Sequence, residues 1–291
     1  MYIIIGAGGF LGSELINSVL EKTDENILAV ARNRNVVNSD SKRVEIFTGD
    51  LCDFSFLDEL ADRINKSSGA KILWTAACHN IDFVAENPVI ARHMNIDVPE
   101  YLLKKVNNAE KIFFTSSDTV YGEGGNYLFK EDDKLCPISI YGEQKADAEK
   151  IFISFGGVAL RLPLMFSFSK APSKKHFCDK VAENLLTGKK TTLTTGFLRS
   201  ALDYKSVADI MIELSFMAEL PDVLNISGDE SLSKYQLGLL LSEKLGCDAS
   251  TLVPAEKWGE FRQGALRADS TLLDNSLLKK ILVREEIKIN L

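Results

Sequence analysis

A chain of 291 residues, 45% apolar and 26% charged, has the composition of a globular protein able to bury a sizeable core in one or two domains. Its net charge of −7 offers no general attraction for nucleic acid, and no long apolar run is present to span a membrane. Five scattered cysteines without a Cys-x-x-Cys, and only three histidines, argue for a reducing, cytoplasmic compartment with neither a disulfide frame nor a zinc site.

The first residues, Met1-Tyr-Ile-Ile-Ile-Gly6, are too short and lack the basic start for a signal peptide, so Tyr2 to Ile5 reads as a buried strand. Gly6-Ala-Gly-Gly-Phe-Leu-Gly12 follows, and then a helical pattern through Leu15, Ile16, Val19 and Leu20. A glycine turn between strand and helix brings the free N–H groups of a helix start up to a pyrophosphate. The spacing is Gly-x-x-Gly-x-x-Gly, and Leu11 occupies the place of the third glycine in the commoner Gly-x-Gly-x-x-Gly. Gly6, Gly9, Phe10, Leu11 and Gly12 are therefore candidates for binding a dinucleotide, with a purely structural tight turn as the alternative.

The second strand, Asn26 to Ala31, ends before Arg32 and Arg34. An acidic residue there would hold a free ribose 2′-hydroxyl. Arginine suits a 2′-phosphate, so the expected cofactor is NADP, with NAD allowed and solvated loop charges as the bland alternative. A third strand, Val44 to Thr48, leads to Asp50 and Leu51, placed to meet an adenine ring. A helix over Phe56 to Ile64 and a strand over Lys71 to Thr75 follow, ending in Ala76 and Ala77, small enough for a cofactor to lie across the strand ends. His79 reads as a lining or loop histidine. Pro88 opens a long helix running to about Val106. It contains Tyr101 and Lys105.

Lys111 to Thr115 is the fifth strand, and Thr115 to Ser117 stand at its carboxyl end, where sites gather in open α/β sheets. The loop Gly122-Glu-Gly-Gly-Asn126 reads as a mobile pocket mouth. On the next helix Tyr141 and Lys145 share a face. A lysine beside a phenol favours the phenolate, and this predicts a Tyr141 pKa lowered toward neutrality and a role in proton transfer. Tyr101–Lys105 repeats the spacing within a longer helix, so context selects Tyr141.

The alternation of strand and helix up to Gly157–Leu160 predicts an α/β, Rossmann-type, doubly wound parallel sheet. Residues 1–160 form the expected dinucleotide-binding domain, joined by 203–222. Residues 161–202 and 223–291 form a small C-terminal α/β substrate lobe. There Ser206-Val-Ala-Asp209 predicts a capping box opening a helix to about Met217. Ser233-Lys-Tyr-Gln236 predicts a second box, on a helix stopped by Gly246. Mixed short elements are expected from Trp258 to Leu291.

Taken together, Gly6/Gly9/Gly12, Gly49-Asp50-Leu51, Ala76-Ala77, Ser116-Ser117-Asp118-Thr119-Val120-Tyr121-Gly122 and Tyr141-x-x-x-Lys145 resemble, in order, the motifs of the extended short-chain dehydrogenase/reductase family. The resemblance implies Ser117, Tyr141 and Lys145 as the catalytic set, Lys145 also holding the nicotinamide ribose beside Tyr141. Within the family the chain is similar to the dTDP-4-dehydrorhamnose reductases, through its short length and the stretch Arg267-Ala-Asp-Ser-Thr-Leu272, in which Ala268 replaces a usual proline. That similarity implies NADPH-dependent reduction of a nucleotide-linked 4-keto sugar. An NAD(P)-dependent nucleotide-sugar epimerase or dehydratase, or a catalytically silent NADP-binding regulatory subunit, are the rivals. Arg199, Arg267 and Lys174 are candidates for the substrate pyrophosphate, or else surface charges, and Asp118 is a candidate for substrate contact. The expected partner is a nucleotide sugar, and a two-fold homodimer is the assembly that base rates favour.

Overall fold

The computed structural model describes residues 1–37, 39–171, 175–256 and 265–290. The elements run β1 (Tyr2–Ile5), α1 (Phe10–Lys22), β2 (Ile27–Ala31), β3 (Val44–Thr48), α2 (Phe54–Lys66), β4 (Ala70–Trp74), α3 (Ile81–Glu86), α4 (Pro88–Arg92), α5 (Val98–Leu103) and β5 (Ala109–Ser117). They continue with β6 (Leu128–Phe129), α6 (Ile140–Ser154), β7 (Val158–Leu162), β8 (Leu164–Phe166), α7 (Phe177–Leu186), β9 (Thr191–Thr194), β10 (Leu198–Asp203) and α8 (Tyr204–Leu214). The chain ends with β11 (Val223–Asn225), β12 (Ser231–Leu232), α9 (Lys234–Leu245), β13 (Leu252–Ala255), β14 (Ser270–Leu273) and α10 (Ser276–Leu282).

The large sheet among the described residues has the order β11-β7-β5-β4-β1-β2-β3, with every pair parallel. Its strands β1, β2 and β4 are buried on both faces, which is why β1 and β2 read as unbroken apolar runs and β4 as one broken only by Lys71. One face carries α1 and α8 through Leu15, Val19, Val207 and Met211. The other carries α2, α5 and α6 through Leu57, Leu60, Leu102 and Phe152. The sheet is thus doubly wound, as the alternation predicted.

A second sheet has the order β12-β10-β14-β6, with β8 on β10, and β13 pairs with β9. Pairing crosses the expected segment boundaries twice. Residues 223–225 extend the large sheet against β7, and Leu128–Phe129 of the first segment join β14 in the second sheet.

Three local expectations need correction. The helix after Pro88 is not continuous: α4 and α5 are joined by a π turn over His93–Asp97. Pro99 has no N–H to give back to the preceding turn, and the widened turn absorbs the defect. The helix begun at Ser206 starts earlier, because the Asp203 side chain accepts from the Ser206 N–H at 2.8 Å and is the true cap. Asp209 instead accepts from Ser18 and Lys205. The loop at 122–126 is pinned rather than loose: Glu123 accepts from the N–H groups of Asp269 and Ser270, and the Gly124 N–H donates to Ser270. The box at Ser233–Gln236 and the left-handed stop at Gly246 are as predicted. Lys174 and the stretch from Trp258 to Gly264 lie outside the described residues.

Candidate active site

A cavity of about 870 Å³ runs from the glycine turn to β10 and the 266–268 segment. Gly9, Phe10, Leu11 and Gly12 line one end, Ala77 and His79 the side, and Ser117, Asp118, Tyr141 and Lys145 the middle. Arg199 and Arg267 stand at the other end. The topology places them together. β5 delivers Ser117 at its carboxyl terminus, and α6 opens opposite it, capped by Ser139, whose side chain accepts from the Gly142 N–H.

The residues present fit a dinucleotide. Gly9 caps α1 without a side chain over its amino end, leaving the helix N–H groups open. Gly6 has φ +100°, and a Cβ there would lie 2.6 Å from Thr75 Oγ1. A Cβ on Gly12 would lie 2.3 Å from the Gly6 carbonyl, so the close crossing of turn and helix needs glycine. Arg32 and Arg34 are exposed just beyond β2 and outside the cavity; Asp50, Leu51 and Ala76, after β3 and β4, do not line it either. Arg32 is close enough to bear on the Cys52 thiol, which puts it at the same corner as Asp50. The Asp50 carboxylate accepts from the Cys52 N–H at 3.0 Å.

Ser117 Oγ accepts from Thr119 Oγ1 and from the Thr119 N–H, and donates to Asp118 Oδ1 at 3.1 Å. Asp118 is buried, and burial raises its carboxyl pKa against the pull of Arg199, whose Nε lies 3.6 Å away. Arg199 also donates to the carbonyls of Leu198, Ala268 and Asp269. Arg267 donates to Asp82 at 2.7 Å, and the Ala265 N–H donates to the other oxygen of the same carboxylate. Both arginines face the cavity, but each already holds protein acceptors.

The electrostatics of the pair on α6 reverse the expectation from spacing. The Tyr141 phenol is raised, not lowered: burial acts first, then the nearby Asp118 and Cys78. Lys145 donates to the Thr115 carbonyl at 2.8 Å and sits 5.8 Å from the centre of the Tyr141 ring. Burial brings its own pKa down to about 7, with Glu149 opposing. Desolvation thus outweighs the pairwise attraction that the spacing suggested. The other Tyr–Lys pair is a surface cluster, with Tyr101 stacked on Phe54 and both Tyr101 and Lys105 donating to Asp58.

Sequence reasoning missed two groups beside the cavity. His176 and Tyr204 both meet Phe10 of the glycine turn, with ring centroids at 5.1 and 5.8 Å, and tie the segment before α7 to the turn. Asn95 bonds the Cys78 backbone and Gln144, joining the loop after β4 to α6. Neither has a local signature, since partners come from distant segments.

Residues 2–227 match the NAD dependent epimerase/dehydratase family. The chain belongs to that family. It is accordingly of the extended short-chain dehydrogenase/reductase type, as the motifs implied. Methionine adenosyltransferase 2 subunit beta of Pongo abelii is 24% identical over 217 residues, 72% of this chain and 64% of that protein, so the match spans under two-thirds of the relative's length. Among solved structures, UDP-N-acetylglucosamine 4-epimerase from Methanobrevibacter ruminantium M1, in complex with UDP-N-acetylmuramic acid, superposes with a TM-score of 0.80 at 23% identity, covering 96% of this chain and 91% of that one. A hypothetical dTDP-4-dehydrorhamnose reductase from Sulfolobus tokodaii superposes with a TM-score of 0.78 at 22% identity, covering 100% and 97%. At these identities the likenesses establish the fold. No helix among the described residues is long and apolar enough to cross a membrane.

Proposed function

We propose that this family member reduces a nucleotide-linked 4-keto sugar with NADPH, the activity of a dTDP-4-dehydrorhamnose reductase. The observation that carries the reading is the setting of the Tyr141 phenol. Burial, Asp118 and Cys78 all keep its proton on, while the Lys145 amine is engaged with Thr115. A reductase needs an acid at this point, whereas an epimerase or a dehydratase begins by taking a hydroxyl proton and needs a base. Thr119 counts against a dehydratase, because a threonine hydroxyl has no basicity near neutral pH for removing a carbon-bound proton, and says nothing against an epimerase.

When bound, the reduced nicotinamide supplies hydride to the carbonyl carbon. Ser117 turns its O–H from Asp118 to the carbonyl oxygen and steadies the charge that gathers there. Tyr141 gives that oxygen its proton. Lys145 holds the nicotinamide ribose, and Asp118 contacts the sugar. Arg199 and Arg267 exchange their protein acceptors for the pyrophosphate of the nucleotide sugar. Residues 1–160 with 203–222 carry the cofactor, and 161–202 with 223–291 carry the substrate. Arg32 and Arg34, standing in the chain where an acid would hold a ribose 2′-hydroxyl, select NADPH.

Two other readings have their own support: an epimerase, from the structural likeness, and a silent regulatory subunit, from the subunit beta relative. A stoichiometric assay separates the three. The proposal requires one NADPH consumed per product on a nucleotide 4-keto sugar. Sustained conversion with no added NADPH points to the epimerase. Tight NADPH binding with no turnover of any keto sugar points to the regulatory subunit.

A further inference from the structure

Tyr141, Lys145 and Glu149 follow one another at four-residue intervals along α6 and so share one face. Lys145 and Glu149 are 3% and 2% exposed. Glu149 is held by Arg161 of β7, through Nε to Oε1 at 3.0 Å and Nη2 to Oε2 at 2.8 Å, and by the Ser116 hydroxyl at 2.5 Å. Ser116 directly follows Thr115, whose carbonyl accepts from Lys145. Arg161 also donates to the Tyr121 hydroxyl and the Glu131 carbonyl. A buried ion pair of this kind is a weak source of stability, since apolar residues of similar volume do as well. Its presence one turn beyond Lys145 calls for another role.

The groups around Lys145 are few. On α6 they are Tyr141 and Glu149; on β5 the Thr115 carbonyl, the Phe114 ring at 4.5 Å and Ser116. Beyond them, Asp118 and Cys78 bear on Tyr141, and Arg161 stands on Glu149. We infer that Glu149 is a positioning residue of the reaction: its carboxylate is the buried counter-charge that keeps Lys145 a cation able to hold the cofactor ribose. Burial takes the lysine down to about 7, and Glu149 is the group that opposes the fall. Its bonds to Arg161 and Ser116 hold the carboxylate in one place. The inference rests on the reading of Tyr141 and Lys145 as the reacting pair.

The test is a titration of Lys145 in the whole protein by NMR of ¹³Cε-labelled lysine, with the resonance assigned by Lys145→Arg. Wild type should titrate near 7, below the ordinary lysine range. Glu149→Gln should lower the midpoint by about one unit or more, the effect of removing a close opposite charge. An unchanged midpoint in a folded Glu149→Gln protein overturns the inference. Because that change leaves Arg161 buried without its partner, Glu149→Gln combined with Arg161→Met, which removes both charges, provides a second variant, in which the midpoint should also fall, by less than in the single variant. Fluorescence titration of NADPH gives the functional readout. Affinity in Glu149→Gln should weaken at a lower pH than in wild type, and Glu149→Asp should restore part of the shift. A shifted lysine with active Tyr141→Phe would leave the coupling of Glu149 to Lys145 standing and remove the proposed reaction, and with it the part of Glu149 in that reaction.

Discussion

The Thr119 hydroxyl donates a hydrogen bond to the Ser117 hydroxyl across 3.0 Å. With the Thr119 N–H on the same oxygen, Ser117 is left to aim its own proton outward, at present toward Asp118. Thr119→Val keeps the shape and removes this support. A net hydrogen bond contributes about 0.5–1.5 kcal/mol, so kcat should fall roughly 2- to 10-fold with the affinity for NADPH unchanged. Thr119→Ser should be close to wild type. Steady-state kinetics showing equal kcat for valine and serine would remove Thr119 from the site.

Tyr141→Phe takes away the proton donor and keeps the ring. General acid catalysis contributes ~10²–10⁴-fold, and turnover should drop by that order while NADPH still binds. Tyr101→Phe, at the surface pair with Lys105 and Asp58, is the control and should be silent.

Arg32→Ala tests the cofactor reading. Charge-assisted hydrogen bonds contribute ~1.5–3 kcal/mol, or roughly ten- to hundredfold between NADPH and NADH. The substitution should erase most of that difference. Titrations giving the wild type equal affinity for both cofactors would end the claim for NADP.

Lys145 should cost the fold stability. Its folded pKa is depressed to about 7 from 10.5 in the unfolded chain. Between those values the unfolded chain binds the extra proton, so this lysine makes stability rise with pH across that window. Below it, the full penalty of the buried charge is present. Lys145→Met should therefore raise the melting temperature at neutral pH, by about 2–4 °C for each kcal/mol relieved, and flatten the rise toward alkaline pH, while abolishing turnover. Thermal melts across the pH range check both. A lower melting temperature at neutral pH contradicts the depressed pKa.

Much of this protein was legible in its sequence because the signals are local. The apolar run of β1, the glycine turn and the pattern of α1 lie side by side in the chain, and their order is the order of the fold. Ser233 and Gln236 cap each other across three residues, and Gly246 ends the same helix. The alternation of strands and helices implied the parallel sheet, and the Tyr141–Lys145 spacing put both side chains on one face.

What only the tertiary structure decided depends on partners brought from far along the chain. β11 closes the large sheet against β7 across some sixty residues of other elements, which no local pattern announces. Asp203 caps α8 and the loop at 122–126 is tied to β14, because N–H groups at those places find acceptors that folding supplies. The state of Tyr141 was the largest reversal. Spacing records only the attraction between a phenol and a lysine, whereas the pKa also carries the loss of water from both and the pressure of Asp118 and Cys78. Desolvation is a property of the assembled site, so the residues of the pair were readable in the sequence and the direction in which the Tyr141 pKa moves was not.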